Sequence, residues 1–162
     1  ALNLAIGPED GWLPFYRVTP AAPGEDVPAW YDKVGSFDRD LIVDLARLWA
    51  PIADRIEATE VECVTVATLL DRYPIGDPDL VHIDAEGFDG QILGQIHELG
   101  LRPGLLFYEH AHLADETEST AERLRSSGYS LFVEGMDTLA VHDRLLQDSS
   151  TPLTRAFREA TA

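Results

Sequence analysis

Basic residues and sulfur are scarce in this chain. Twelve Lys and Arg stand against 29 Asp and Glu, a formal net charge of −17 over 162 residues. Nucleic-acid backbones are held by clustered Lys and Arg, so the balance argues against a nucleic-acid partner, and equally against an anionic membrane surface. Such acidity also serves solubility. The single cysteine, Cys63, cannot close an internal disulfide, which suits a reducing compartment. It lies in a strand-like run and reads as a small buried hydrophobe rather than a nucleophile. No apolar run approaches the roughly 18–20 residues that cross a bilayer. The first residues carry no basic stretch ahead of an apolar one. The expectation is a cytoplasmic protein. Also absent are a G-x-G-x-x-G turn, a Walker loop, zinc-ligand spacing, a nucleophile elbow and internal repeats.

What is present is enough for one domain with a real core: hydrophobic residues make up 45% of the chain. Residues 2–6 and 12–18 read as strands joined by the turn cluster Gly7-Pro8-Glu9-Asp10-Gly11, suggesting a hairpin. Residues 19–28 read as an exposed loop, followed by the aromatics Trp30, Tyr31 and Phe37, which are expected to cover the core. Leu41, Ile42, Leu45, Leu48 and Trp49 have helical spacing, with Asp38 or Ser36 as cap and Pro51 as terminator. A strand over 59–66, a short helix over 67–73 and a strand over 80–83 follow. Phe88, Ile92, Leu93, Ile96 and Leu99 mark a helix that Gly100 terminates. Residues 105–108 form another strand and 117–127 another helix. Residues 129–133 and 138–141 flank a turn as a closing hairpin. Thr151-Pro152 opens a last helix. This alternation predicts an α/β domain with a sheet that is mostly parallel in its middle.

Two strands end abruptly in polar groups. The strand over 80–83 runs into Asp84-Ala85-Glu86-Gly87, and the strand over 105–108 runs into Glu109-His110-Ala111-His112. Ligands in open α/β sheets bind outside the carboxyl ends of strands. If these strands are parallel neighbours, both groups open on one edge and converge. Extended alternation would aim Asp84 and Glu86 the same way, and His110 and His112 likewise, while Gly87 allows a tight turn. Three chemistries fit: general-base catalysis on a hydroxyl, a hard-metal site with carboxylate ligands such as Asp84 and Glu86, or hydrogen bonding to sugar-like hydroxyls. Glu86 and Asp89 could instead favour the helix start electrostatically, and for Asp89 that reading is preferred. His82 reads as a packing residue and His97 as solvent-facing, and His142 has no evident partner.

Several of these residues together resemble the FkbM family of methyltransferases. They are Asn3-Leu4-Ala5-Ile6-Gly7 with Asp10-Gly11, then Thr68-Leu69-Leu70-Asp71, then His82-Ile83-Asp84-Ala85-Glu86-Gly87-Phe88-Asp89, Glu109, and Gly128-Tyr129. The resemblance spans roughly residues 1 to 142. It implies a class I, Rossmann-like sheet with a C-terminal antiparallel hairpin, and S-adenosylmethionine-dependent methylation of an oxygen on a small molecule or glycan. It implies a catalytic or metal-binding acid at Asp84, with Glu86 and Glu109 lining the same pocket; the expected catalytic set is Asp84, Glu86 and Glu109 with His110 added as a pocket base. It places Asn3 and Ala5 near the adenine, and leaves Mg²⁺ at Asp84 and Glu86 as an option.

His82 stands where the family usually has lysine, and Asp89 where it usually has glutamate. The family's first strand with its Asp-x-Gly-x-Asn loop, and its second strand with the ribose-binding acid, have no counterpart in these residues. Residues 1–162 are therefore expected to be a single domain, the C-terminal part of a methyltransferase domain. An upstream polypeptide would complete the sheet, and the fragment alone would bind cofactor weakly. A metal-dependent hydrolase built on Asp84, Glu86 and Glu109, and a non-catalytic binding domain, are the competing readings.

Overall fold

A computed structural model describes residues 1–44 and 48–147. The strands form two mixed four-stranded sheets. The first comprises β1 (Ala5–Ile6), β2 (Gly11–Val18), β3 (Gly35–Ser36) and β4 (Ile56–Val64), in the order β1-β4-β2-β3. Strand β4 runs parallel to β1 and antiparallel to β2, with Gly11 opposite Cys63 and Val18 opposite Ile56. The expected hairpin between residues 2–6 and 12–18 is therefore not formed, because β4 lies between them. Strand β2 gains an eight-residue ladder with β4, while β1 pairs with its end at Ala5–Cys63 and Ile6–Val64. Cys63, 1% exposed, is the buried hydrophobe the sequence suggested.

A small core of Val18, Tyr31, Val34, Ile42 and Ile52 closes this sheet. Tyr31 anchors it: its ring meets Trp49 edge-on at 4.9 Å, and its hydroxyl donates to the Thr19 carbonyl. Arg55 donates to that hydroxyl and pairs with Glu25. Helix α1 (Arg39–Asp44) starts where Asp38 Oδ1 accepts from the Asp40 amide, and buries Ile42. Leu48, expected on the buried face, is 74% exposed. Leu45 lies outside the described residues, as does the helix expected from Thr151.

The second sheet comprises β5 (Leu80–Ile83), β6 (Leu105–Glu109), β7 (Tyr129–Glu134) and β8 (Asp137–His142), in the order β5-β6-β8-β7. Strands β5 and β6 are parallel, with Ile83 opposite Tyr108. The crossover between them is α3 (Asp89–Glu98). Its face of Ile92, Leu93 and Ile96 packs on Ile83, Leu106 and Tyr108, with Leu124 of α4 (Thr117–Ser126) joining the same core. Gly100, at φ +72°, ends α3 as its position suggested, and the Leu101 amide bonds back to Ile96. Strands β7 and β8 form the expected closing hairpin. Helices α2 (Val66–Arg72) and α5 (Asp143–Gln147) complete the described elements. None of the described helices is long and apolar enough to cross a membrane.

The mixed α/β class is as expected, but among the described residues only two of the six strand pairings are parallel. Parallel neighbours need a long crossover. The chain supplies α3 for one pair and residues 7–55 for the other, and makes its remaining pairs antiparallel. Gln95 ties the sheets together: its Nε2 donates to the Gly7 carbonyl and its Oε1 accepts from the Val66 amide. The outer edges of β1 and β5 have no strand partner among the described residues.

Candidate functional site

The carboxyl ends of the parallel strands β5 and β6 build the site. After Ile83 the backbone leaves the sheet and reverses through Glu86 at φ +45° and Gly87 at φ +93°. Glycine is needed at 87, since a Cβ there would sit 2.8 Å from Leu41 Cδ1 as well as in a left-handed conformation. Glu86 has no such freedom, and a non-glycine residue held there stores strain of the kind found at ligand clamps. Ser36, 1% exposed, donates from Oγ to the Glu86 carbonyl at 2.8 Å and holds the turn.

Asp89 fixes the two strand ends relative to each other. It opens α3 and is 1% exposed. Its Oδ2 accepts from the Ala85 amide at 3.1 Å and its Oδ1 from the Glu109 amide at 3.2 Å. Burial raises its pKa, opposed by those amides. Its role thus extends beyond the helix start to cross-linking the segments that carry Glu86 and Glu109. The spacing Asp89, Ile92, Leu93, Ile96 is the buried stripe of α3, and that periodicity is the signal that could have revealed it.

Three side chains then converge. Nε2 of His112 lies 3.8 Å from Glu86 Oε2 and 3.7 Å from Glu109 Oε2. One ligand-capable atom from each lies within 4.8 Å of the others. Burial raises the Glu86 pKa, the charges of Glu109 and Asp84 add to that, and His112 opposes it. Glu109 is raised too, first by burial, with Asp84, Asp89 and Asp137 adding and His112 opposing. Both carboxyls therefore hold a proton more tightly than an ordinary glutamate.

His110 and His112 do not share a target. The His110 ring nitrogen Nδ1 meets Thr138 Oγ1 at 3.0 Å and its amide donates to the Met136 carbonyl. The chain turns at 110–113, where the Leu113 amide bonds to the His110 carbonyl, so His112 faces back toward Glu109. The alternation that would aim both histidines the same way holds only for an extended backbone, and this turn cancels it.

Asp84 is exposed and sits beside this cluster on the rim of a groove of about 450 Å³. The groove runs between the two sheets, walled by Ile6, Phe37, Leu70, Val81 and Phe88. Ala5 lines both the groove and a neighbouring depression, and Asn3 lines only the latter, with Trp12 and Glu60. Phe37 packs at a tilt against Phe88, ring centroids 5.1 Å apart, and lines the groove rather than either buried core cluster. His82 is exposed and packs edge-on against Phe107 rather than beneath a helix, because no described element covers that face of β5.

The arrangement offers proton acceptors at one sheet edge next to an apolar slot. No curated protein and no solved structure matches the chain. The profile of the Methyltransferase FkbM domain matches residues 2–131. The chain therefore belongs to the FkbM methyltransferase family.

Proposed function

We propose that this chain carries the acceptor-side chemistry of an S-adenosylmethionine-dependent O-methyltransferase acting on a hydroxyl of a small molecule or glycan. The supporting observation is the convergence of acids at the ends of β5 and β6, immediately beside the groove that Asp84 borders. Bound S-adenosylmethionine supplies a methyl group on a sulfonium. The residues here fit it in part. The groove walls suit an adenine, and Asp84 suits a cationic centre. The ribose-binding acid and the Asp-x-Gly-x-Asn loop must come from an upstream polypeptide. Its strands would pair with the open edges of β1 and β5.

Within that frame Asp84, Glu86 and Glu109 are the candidate bases for the acceptor hydroxyl. Their raised pKa values bring Glu86 and Glu109 closer to the operating pH, where a general base works best. His112 stands between the two carboxylates and can take the proton onward. Thr138 orients His110, one residue beyond Glu109. Positioning donor and acceptor supplies most of the rate, and Asp89 and Ser36 serve it by fixing the backbone.

Calorimetry with S-adenosylmethionine tests this on the longest polypeptide that carries the chain, and on residues 1–162 alone. Saturable binding by the longer form, strongly weakened in the shorter form and by Asp84→Asn, supports the proposal. Absence of binding by the longer form overturns it.

A further inference from the structure

We propose that Glu86, Glu109 and His112 form a three-ligand site for a divalent transition-metal ion of the zinc or manganese class. This goes beyond methyl transfer and does not depend on it.

The donors come from two strand ends: Glu86 after β5, Glu109 at the end of β6 and His112 in the turn that follows. The imidazole Nε2 sits 3.8 and 3.7 Å from the two carboxylate oxygens. Metal bonds to nitrogen and carboxylate oxygen are about 2.0–2.2 Å. Neighbouring donors in a tetrahedral or octahedral shell then lie roughly 3–3.5 Å apart. The two His112 distances exceed that spacing by a few tenths of an ångström, and all three donors already lie within 4.8 Å of one another, so side-chain rotation alone brings them onto one ion.

Charge balance points the same way. Elsewhere Glu25, Glu57, Glu62 and Glu118 each pair with an arginine. Glu86 and Glu109 face each other, with Asp84 and Asp89 close enough to act on both. Among the described residues no Lys or Arg forms an ion pair with either, and the ionic partner both share is His112. A dication between them would satisfy charges that the protein itself leaves unbalanced.

The framework is already fixed. Asp89 accepts from the Ala85 and Glu109 amides, and Ser36 holds the Glu86 carbonyl, so the loops need little ordering on binding. The side chains of His112 and Glu86 remain 30% and 26% exposed. Three protein ligands with an open side are the pattern of a site that admits water or a substrate oxygen. A nitrogen donor beside two carboxylates favours zinc or manganese over magnesium, which prefers all-oxygen shells.

The test titrates Co²⁺, as a spectroscopic probe, into the longest polypeptide carrying this chain, with no methyl donor present. The expected result is one equivalent bound with d–d absorption, displaced by Zn²⁺ but not by Mg²⁺ at similar concentration. His112→Ala and the milder His112→Gln should each weaken binding by at least about 10–100-fold, the loss recorded for groups that merely support a ligand. His97→Ala, on α3 and outside the cluster, should change nothing. Far-ultraviolet circular dichroism of each variant shows that the fold persists. Absence of saturable binding overturns the site. So does equal affinity in a folded His112 variant, or a loss produced by His97→Ala. Binding of S-adenosylmethionine, measured separately, is untouched by such a failure.

Discussion

Carboxylates around the first sheet and carboxylates at the ends of β5 and β6 live in opposite electrostatic settings. Glu25 is bridged by Arg55, which brings its pKa down to about 2. Asp10 is lowered by accepting from the Thr68 hydroxyl and the Thr65 amide. Glu62 and Glu57 reach Arg72 and Arg17. At the second sheet burial and like charges raise Glu86 and Glu109. The first set is compensated and serves the fold. The second shares only His112 as an ionic partner among the described residues, at a strained turn beside a groove, a setting common for functional groups.

The sharpest way to break this contrast is to remove the one acid of the second set that is structural. Asp89→Ala leaves the Ala85 and Glu109 amides without their acceptor in a buried position. It should cost about 2–5 kcal/mol, read from the urea midpoint. Asp89→Asn, which keeps one acceptor oxygen, should cost less.

Next in size is Gly87→Ala, where a positive φ and the 2.8 Å approach to Leu41 combine. A loss of about 1–3 kcal/mol is expected by chemical denaturation.

Opposite pH responses follow from the opposite shifts. Glu25, lowered in the fold, contributes stability that is present above its usual value of 4.5 and is lost as pH falls toward about 2. Arg55→Met should flatten that acid limb of a melting-temperature profile. Glu86 and Glu109, raised in the fold, bind protons more tightly folded than unfolded, so their contribution falls as pH rises above 4.5. Glu86→Gln or Glu109→Gln should remove that decline and raise the melting temperature near neutral pH relative to the parent. The smallest effect belongs to the exposed Arg125–Glu118 pair. Arg125→Ala should change stability by less than about 0.5 kcal/mol.

The β5–α3–β6 unit, the closing hairpin and the termination at Gly100 were legible because their signals are local: apolar periodicity, a glycine at a helix end, a turn between two strands. The place of β4 between β1 and β2 was not, since pairing across some fifty residues leaves no local mark. That the two acid-bearing strand ends open side by side on one sheet edge was legible from their shared pattern, an apolar run stopping at acids. His112 was hidden by the turn at 110–113, which cancels the alternation an extended chain would have. Asp89 was masked by its position at a helix start, where an acid has an ordinary electrostatic reason to be. His82 ended exposed because the reading assumed a covering layer on both faces of β5.

The most direct trial of the account is transfer of a labelled methyl group from S-adenosylmethionine to an acceptor hydroxyl. It compares the longest polypeptide carrying this chain with its Glu86→Gln/Glu109→Gln double variant. Labelling that falls at least about 100-fold in the variant, while donor binding persists, is the predicted result. Undiminished labelling by the folded double variant would contradict the assignment of these acids to the reacting centre.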